Sequence, residues 1–288
     1  MIIVLGATGN IGREVVKHLA QHKQHAILLS RHPQRSVPAF AGHQHRMANL
    51  DDLSSLTRAM HGGSRLLLVS PNSEAMQQQQ INAIHAAHAA GIRHIVKISG
   101  TPKSVRQDSP SAVGRAHWNI EQVLKATMPV YSILQCNFFM QNLLGLQADM
   151  VKKSAKITLP FAADTVFRFI DVRDIAAAAV KLLIEEPAES RTYNISGAAS
   201  SFAAMSKELG VLLGRNISYK QVPLWLTKIV MKFRGLPGAH IRHQMEMARL
   251  YQQGISDDPS ADVLSLTGQE PVVLRDFLLQ HLHHFQTT

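Results

Sequence analysis

Ile2-Ile3-Val4-Leu5-Gly6-Ala7-Thr8-Gly9-Asn10-Ile11-Gly12 is the stretch on which the fold of this chain turns. Four apolar residues read as a short buried strand, and the apolar spacing of Val15, Val16 and Leu19 reads as a helix over Ile11–Gln21. The glycines sit in the connection. Gly6 permits a tight turn off the strand, Gly9 has no side chain to keep an anion off the backbone, and Gly12 allows close helix packing on the sheet. A helix that starts here aims unpaired N–H groups and the positive end of its dipole at the turn. Strand, turn and helix together predict a dinucleotide diphosphate site, with a ligand-free glycine turn as the alternative.

The same alternation continues outward. Ala26–Ser30, Arg65–Ser70, His94–Ser99 and Val130–Gln135 read as strands. Helical patterns cover Asp51–Met60, Ser73–Ala90 (closed by Gly91) and Ala112–Thr127. Strands alternating with helices predict an α/β fold, a doubly wound parallel sheet with helices on both faces. Beyond it, Phe167–Ile170, Thr192–Ile195 and Ile217–Gln221 read as strands, Val172–Glu185 and Phe202–Leu213 as helices, and the chain after Leu224 as mostly helical. The expected division is a nucleotide-binding domain over 1–136, completed by about 165–198. A smaller, mostly helical lobe for substrate takes 137–164 and 199–288.

Composition narrows the class. With 288 residues, 45% hydrophobic and 17% charged, the chain is too apolar for disorder. Its single cysteine, Cys136, excludes an internal disulfide framework and a cysteine zinc cluster. No apolar run is long enough for a membrane span and no basic segment precedes the first strand, so a cytoplasmic protein without a membrane partner is expected. The net charge of +10 admits either nucleic acid or an anionic ligand. Lys228, Lys232, Arg234, Arg242 and Arg249 are too spread out for a dense nucleic-acid patch and read as a solvated helical face. The His-x-x-His pairs, such as His240/His243, lack a third ligand, so no metal is expected.

The second strand bears on the choice of cofactor. A carboxylate there would bond a ribose hydroxyl, but Ser30-Arg31-His32-Pro33-Gln34-Arg35 contains none. Arg31 and Arg35 suit a 2′-phosphate, which favours NADP(H), with NAD(H) the lesser alternative.

The Gly6–Gly12 turn, Arg31, Asn49-Leu50-Asp51, the run Gln135–Leu143, Phe169–Ala176 and Thr192–Ile195 together resemble the NmrA-like branch of the atypical short-chain dehydrogenases. The likeness is closest to its triphenylmethane reductase and NAD(P)H:quinone oxidoreductase subgroup, and it covers roughly residues 1–222. It implies diphosphate contacts at Gly6, Thr8, Gly9, Asn10 and Ile11, 2′-phosphate contact at Arg31, and adenine contact at Asn49. Ser70 and Pro71 would line the ribose path, Ser99 would stand beside the nicotinamide ribose, and Asn137 and Phe138 would flank the nicotinamide. Family members reduce quinones, azo or triphenylmethane dyes, or act as redox sensors without demonstrated turnover.

Alcohol-oxidising relatives use a Tyr-x-x-x-Lys pair, in which the lysine lowers the phenol pKa. The four tyrosines here are followed four places on by Gln135, Gly197, Pro223 and Ile255, so no such pair exists. The matching helix carries His117 and Glu121 at i and i+4, where Glu121 can orient His117 as a proton donor; a helix-surface ion pair is the alternative. Lys97 and Lys103 are further candidates, Lys97 expected to face a helix edge or loop. Phe138, Phe139, Met140 and Leu143 form the expected acceptor side, while Trp118, Trp225 and Phe233 either stack on a flat substrate or pack between lobes. The functional expectation is an NADPH-dependent oxidoreductase passing hydride to a flat conjugated acceptor such as a quinone or dye. The alternative is a non-catalytic NADP(H) sensor with a regulatory protein partner at the basic C-terminal lobe.

Overall fold

A computed structural model describes residues 1–31, 41–185 and 189–286. In chain order the first half runs β1 (Ile2–Leu5), α1 (Asn10–Gln21), β2 (Ala26–Ser30), β3 (Gln44–Met47), α2 (Leu53–Met60), β4 (Arg65–Leu68), α3 (Met76–Ala89), β5 (His94–Ser99), α4 (Ala112–Thr127) and β6 (Val130–Cys136). The second half runs β7 (Phe138–Phe139), α5 (Leu146–Ser154), β8 (Lys156–Leu159), β9 (Phe167–Ile170), α6 (Val172–Ile184), β10 (Arg191–Ile195), β11 (Ala199–Ser200) and α7 (Phe202–Leu213). It ends with β12 (Ser218–Gln221), α8 (Leu224–Phe233), α9 (Gly238–Gln252), α10 (Asp262–Thr267) and α11 (Leu274–Gln280).

Seven strands form one sheet in the order β10-β6-β5-β4-β1-β2-β3, and every pairing in it is parallel. Successive side chains of a strand point to opposite faces, so a sheet covered on both sides needs uninterrupted apolar runs. In β1, Ile2 and Val4 enter the core shared with Val15, Leu19 and Ile175, while Ile3 and Leu5 enter the core shared with Leu56, Ile84 and Ile120. Thus α1 and α6 cover one face, and α2, α3 and α4 the other. At some 25 cal/mol per Å² of buried apolar surface, these two layers supply the main driving force of the domain.

Capping fixes where helices start. The Asp52 carboxylate accepts from Ser55 N–H at 3.0 Å to open α2, and Ser111 Oγ accepts from Gly114 N–H at 3.3 Å to open α4. The helix expected from Ser73 begins at Met76, after a turn closed by Met76 N–H to the Ser73 carbonyl at 3.1 Å.

The pattern along the chain gave no sign of β3, whose residues Gln-His-Arg-Met carry no apolar run. It is the outer strand of the sheet, where polar side chains discourage pairing with another chain. Arg46 ties it to the end of α2, donating to the carbonyls of Ala59 at 3.0 Å and His61 at 2.7 Å.

One expectation fails. Phe167–Ile170 was expected to return to the main sheet, but β9 pairs with β7 and β11 in a separate three-stranded sheet. From that span only β10 enters the main sheet, with α6 packed on it. Phe167 and Phe169 are fully buried among Phe138, Phe161, Phe202 and Tyr251, with neighbouring ring centroids about 5–6 Å apart. These rings form a third core, distinct from the two beside the sheet. α5, β7, β8 and β11 were not anticipated, and β8 pairs in parallel with β12. Among the described residues no helix is long and apolar enough to cross a membrane.

Candidate functional site

Parallel pairing puts the carboxyl ends of all seven strands on one edge. The strand order reverses direction between β1 and β4, the switch point at which open α/β sheets take their ligands. The residues after β1 (Gly6–Gly12), β2 (Arg31), β3 (Asn49), β4 (Ser70, Pro71) and β6 (Asn137, Phe138), with Ser99 ending β5, therefore gather along this edge. Arg35 lies outside the described residues.

The glycine turn is tightly packed at two of its three glycines. Gly6 has φ +83°, and a Cβ there would overlap the Val69 carbonyl oxygen. A Cβ on Gly12 would overlap the Gly6 carbonyl oxygen, so Gly12 is needed for packing against the turn rather than the sheet. Gly9 differs. Its φ of −77° suits any residue, and the nearest atom to a Cβ there would be Gly6 O at 3.4 Å, an ordinary contact. Gly9 is the N-cap of α1, with no side-chain cap and no acidic residue in the first turn. The first N–H groups of α1 thus have no intrahelical acceptor and face an open side of the turn. This is a surface that only an anion or water can satisfy. The Ile11 side chain is buried in the core, which leaves its backbone N–H as its means of touching a phosphate; Thr8 and Asn10 are exposed.

Other candidates carry partners already. Arg31 is exposed at the end of β2. Asn49 Oδ1 accepts from Asp51 N–H at 3.1 Å, a local turn, and Ser70 Oγ accepts from Gln80 Nε2 at 2.9 Å. Asn137 is buried; its Oδ1 accepts from Ser256 Oγ at 3.0 Å, while its Nδ2 is a buried donor with no partner among the described residues.

The pairing expected between His117 and Glu121 is not formed. Instead Lys97, fully buried on β5, sets its Nζ 3.0 Å from His117 Nδ1. Glu121 accepts from Ser99 Oγ at 2.6 Å and from Gln135 Nε2 at 3.1 Å. The reason is geometric: α4 lies on the sheet, so the face carrying His117 and Glu121 meets the side chains of β5 and β6 rather than solvent. His117 is 7% exposed and Glu121 2%, which also removes the surface ion pair. Lys97 points into α4, not to a loop. Burial brings the Lys97 ammonium down from 10.5 to about 8, with Glu121 opposing the fall. Burial, reinforced by the Lys97 charge, holds the His117 imidazolium well below 6.5. The ring is therefore neutral at pH 7, and a protonated Lys97, which can only donate, assigns Nδ1 as the acceptor and leaves the ring proton on Nε2. The ring's Cδ2 packs beside Gly100, just past Ser99. Cys136 is buried and its thiol pKa is raised by burial, which makes it an inert filler.

A cavity of about 840 Å³ opens beside this edge. Asn72 and Phe138 bound it on the sheet side; Phe161, Phe202, Tyr251, Leu226, Val230, Met231 and Met245 are among its apolar lining. Its volume suits a drug-sized ring system. Of the expected acceptor side, only Phe138 lines it. Met140 and Leu143 are fully buried in the third core, because the segment turns through a 3-10 helix before α5, and Leu146 reaches the cavity instead. Trp225 and Phe233 are 63% and 89% exposed and stack on no ring among the described residues, while Leu226 and Val230 of the same helix line the cavity. Phe161, Phe202 and Tyr251 were not singled out, since isolated aromatics far apart in the chain carry no signal of convergence. Among the described residues no three His, Cys, Asp or Glu side chains gather as a metal site would require.

The NmrA-like family matches residues 1–270. The NAD(P)H azoreductase of Xenophilus azovorans is 30% identical over 99% of this chain and 99% of its own. The NADPH-dependent quinone oxidoreductase of Escherichia coli, solved with NADPH bound, superposes with a TM-score of 0.88 at 26% identity, covering 98% of this chain and 100% of its own. The triphenylmethane reductase of Citrobacter sp., solved with NADP(H), gives a TM-score of 0.86 over 97% of this chain and 99% of its own; at 23% identity it attests the fold alone.

Proposed function

The chain belongs to the NmrA-like family, and from that membership and the shape of its site we propose that it is an NADPH-dependent reductase of a flat, conjugated acceptor such as a quinone or azo dye. NADP(H) is its cofactor, as it is for the quinone oxidoreductase relative. The residues fit that group: Gly9 leaves the start of α1 open to a diphosphate, Arg31 is exposed at the end of β2 where a 2′-phosphate would lie, and Asn137 Nδ2 is a buried donor with no partner among the described residues.

The observation that carries the acceptor reading is the aromatic, largely apolar cavity next to that edge, with Phe138 shared between the two. Such walls hold a planar ring system and offer a sugar hydroxyl few partners. Bound NADPH supplies a hydride; a quinone that receives it gains two electrons and needs one proton to become the hydroquinone. The chain's own contribution is to hold the acceptor in place, exclude water and present a donor. We assign that donor to His117 Nε2. The assignment rests on the Lys97 bond to Nδ1, which fixes the tautomer, and on the ring's place beside Gly100. A neutral imidazole polarises a carbonyl oxygen by hydrogen bonding, and water can restore the proton.

The test is NADPH oxidation across quinones and azo dyes with the parent and Gly9→Ala. Turnover in the parent that is lost in the variant supports the reading. No turnover with any acceptor, at saturating NADPH binding, refutes it.

A further inference from the structure

Among the described residues that line the cavity there is no aspartate and no glutamate, yet Lys156, Arg234, His240 and His243 all border it. Lys156, Arg234 and His240 are exposed and so stand at its rim, and neither Lys156 nor Arg234 has a carboxylate partner among the described residues. Two residues of the lining, His243 and Thr227, each hold a buried polar atom, Nδ1 and Oγ1, with no partner among the described residues. An orphaned buried polar atom costs free energy unless a ligand or water completes it, so these add to the polar side of a wall that also carries Asn142, Gln147 and Gln244. The carboxylate that acts electrostatically on His243, Glu246, is not in the lining and accepts from Ala112 N–H at 3.3 Å.

From this combination we infer that the acceptor carries an anionic substituent, a sulfonate, carboxylate or phosphate, on its flat ring system. The ring lies against Phe138, Phe161 and Phe202, and the anion sits towards Thr227, His243 and the Lys156/Arg234 rim. A cationic dye would meet four basic side chains and no compensating acid, so it is the disfavoured class. The inference rests on the reductase reading above but adds a charge preference that the reading does not contain.

The experiment uses one scaffold in three charge states: naphthoquinone sulfonate, neutral hydroxymethyl naphthoquinone, and trimethylammoniomethyl naphthoquinone. Affinity for the NADP-loaded protein is measured by calorimetry, and kcat/KM is measured with NADPH. A sulfonate also raises the acceptor's reduction potential, so binding and the variants carry the test rather than turnover of the parent alone. The sulfonate is expected to bind at least about tenfold more tightly than the neutral analogue at low salt. That ratio shrinks at roughly 1 M salt, where the Debye length falls to about 3 Å. Arg234→Gln and Lys156→Gln should each lower the sulfonate-to-neutral ratio several-fold, chiefly through KM. Lys228→Gln, on an exposed position outside the lining, should leave the ratio as it is. Equal or weaker binding of the sulfonate, or a ratio indifferent to both rim variants, overturns the inference. Selective sulfonate binding without turnover of any acceptor upholds it and refutes hydride transfer instead; turnover that favours the neutral or cationic quinone does the reverse.

Discussion

Replacing Gly9 by alanine separates cofactor binding from folding more cleanly than any other change in the turn. Gly6→Ala and Gly12→Ala both force a Cβ into a backbone carbonyl oxygen, so a loss of binding there says nothing about a ligand. At Gly9 the backbone is in an ordinary extended conformation and the nearest neighbour of a new methyl would be 3.4 Å away. The folded-state cost is therefore small. Alanine is a poorer N-cap than glycine by about 0.5–1 kcal/mol, and the lower entropy of the unfolded chain returns about 0.4–1 kcal/mol. Net stability should stay within about 0.5 kcal/mol, a shift of no more than about 2 °C in Tm for a chain of this size. Binding is another matter. The methyl projects into the open side of the turn, and a phosphate oxygen must retreat by about 1 Å from a van der Waals carbon compared with a hydrogen-bonded N–H. Losing one charge-assisted hydrogen bond costs about 1.5–3 kcal/mol, which is roughly 10- to 150-fold in Kd. Fluorescence titration with NADPH reads the affinity, and a circular-dichroism melt reads the fold. An unchanged Kd in a variant with an unchanged melt would refute the phosphate reading of the turn.

Other perturbations follow from the same geometry. Arg31→Ala should weaken NADPH by at least about tenfold more than NADH, since only the former carries the phosphate that the guanidinium meets; equal losses in parallel titrations would remove that role. His117→Ala should slow quinone reduction by about a hundredfold, the low end for a lost donor. Because burial keeps its imidazole neutral, the parent's rate should show no inflection near pH 6.5 that the variant lacks; finding one would mean that the ring ionises. Lys97 titrates at about 8 in the fold against 10.5 in the unfolded chain. Between those values the unfolded state holds the extra proton, so folded stability rises with pH, by about 3 kcal/mol in all. Subtracting the urea-melt profile of Lys97→Met should isolate that rise, and a flat difference would contradict a charged, buried lysine. Phe167→Ala should cost about 3–5 kcal/mol in the same melts, and a loss under about 1 kcal/mol would mean that the aromatic pile is not a packed core.

Much of the fold was legible along the chain because its signals are local. Buried parallel strands require apolar runs, and β1, β2 and β4 show them; within the glycine turn, Gly12 packs on the Gly6 carbonyl oxygen only a few residues back. The strand ends then follow from the sheet, so the cofactor edge was readable as soon as the strands were. β3 was not readable, since an edge strand is held by ladder hydrogen bonds that leave no mark on side-chain polarity. Nor was the return of residues 167–170 to the aromatic lobe instead of the main sheet, because the apolar pattern of a strand does not name its partner.

The site divides along the same line. Sequence alone determined a glycine turn between strand and helix at Gly6–Gly12, an arginine without a competing acid after β2, and the absence of a tyrosine–lysine pair. Only the tertiary structure decided that His117 answers to Lys97 rather than Glu121, since that depends on which face of α4 meets β5. It also decided that Phe138, Phe161, Phe202 and Tyr251 share one cavity wall, and that the rim beside it is basic with no acid among the described residues. Those residues are scattered over more than a hundred positions, and what joins them is the packing of one lobe's aromatic core against a sheet edge, a non-local balance of burial that no window of sequence contains.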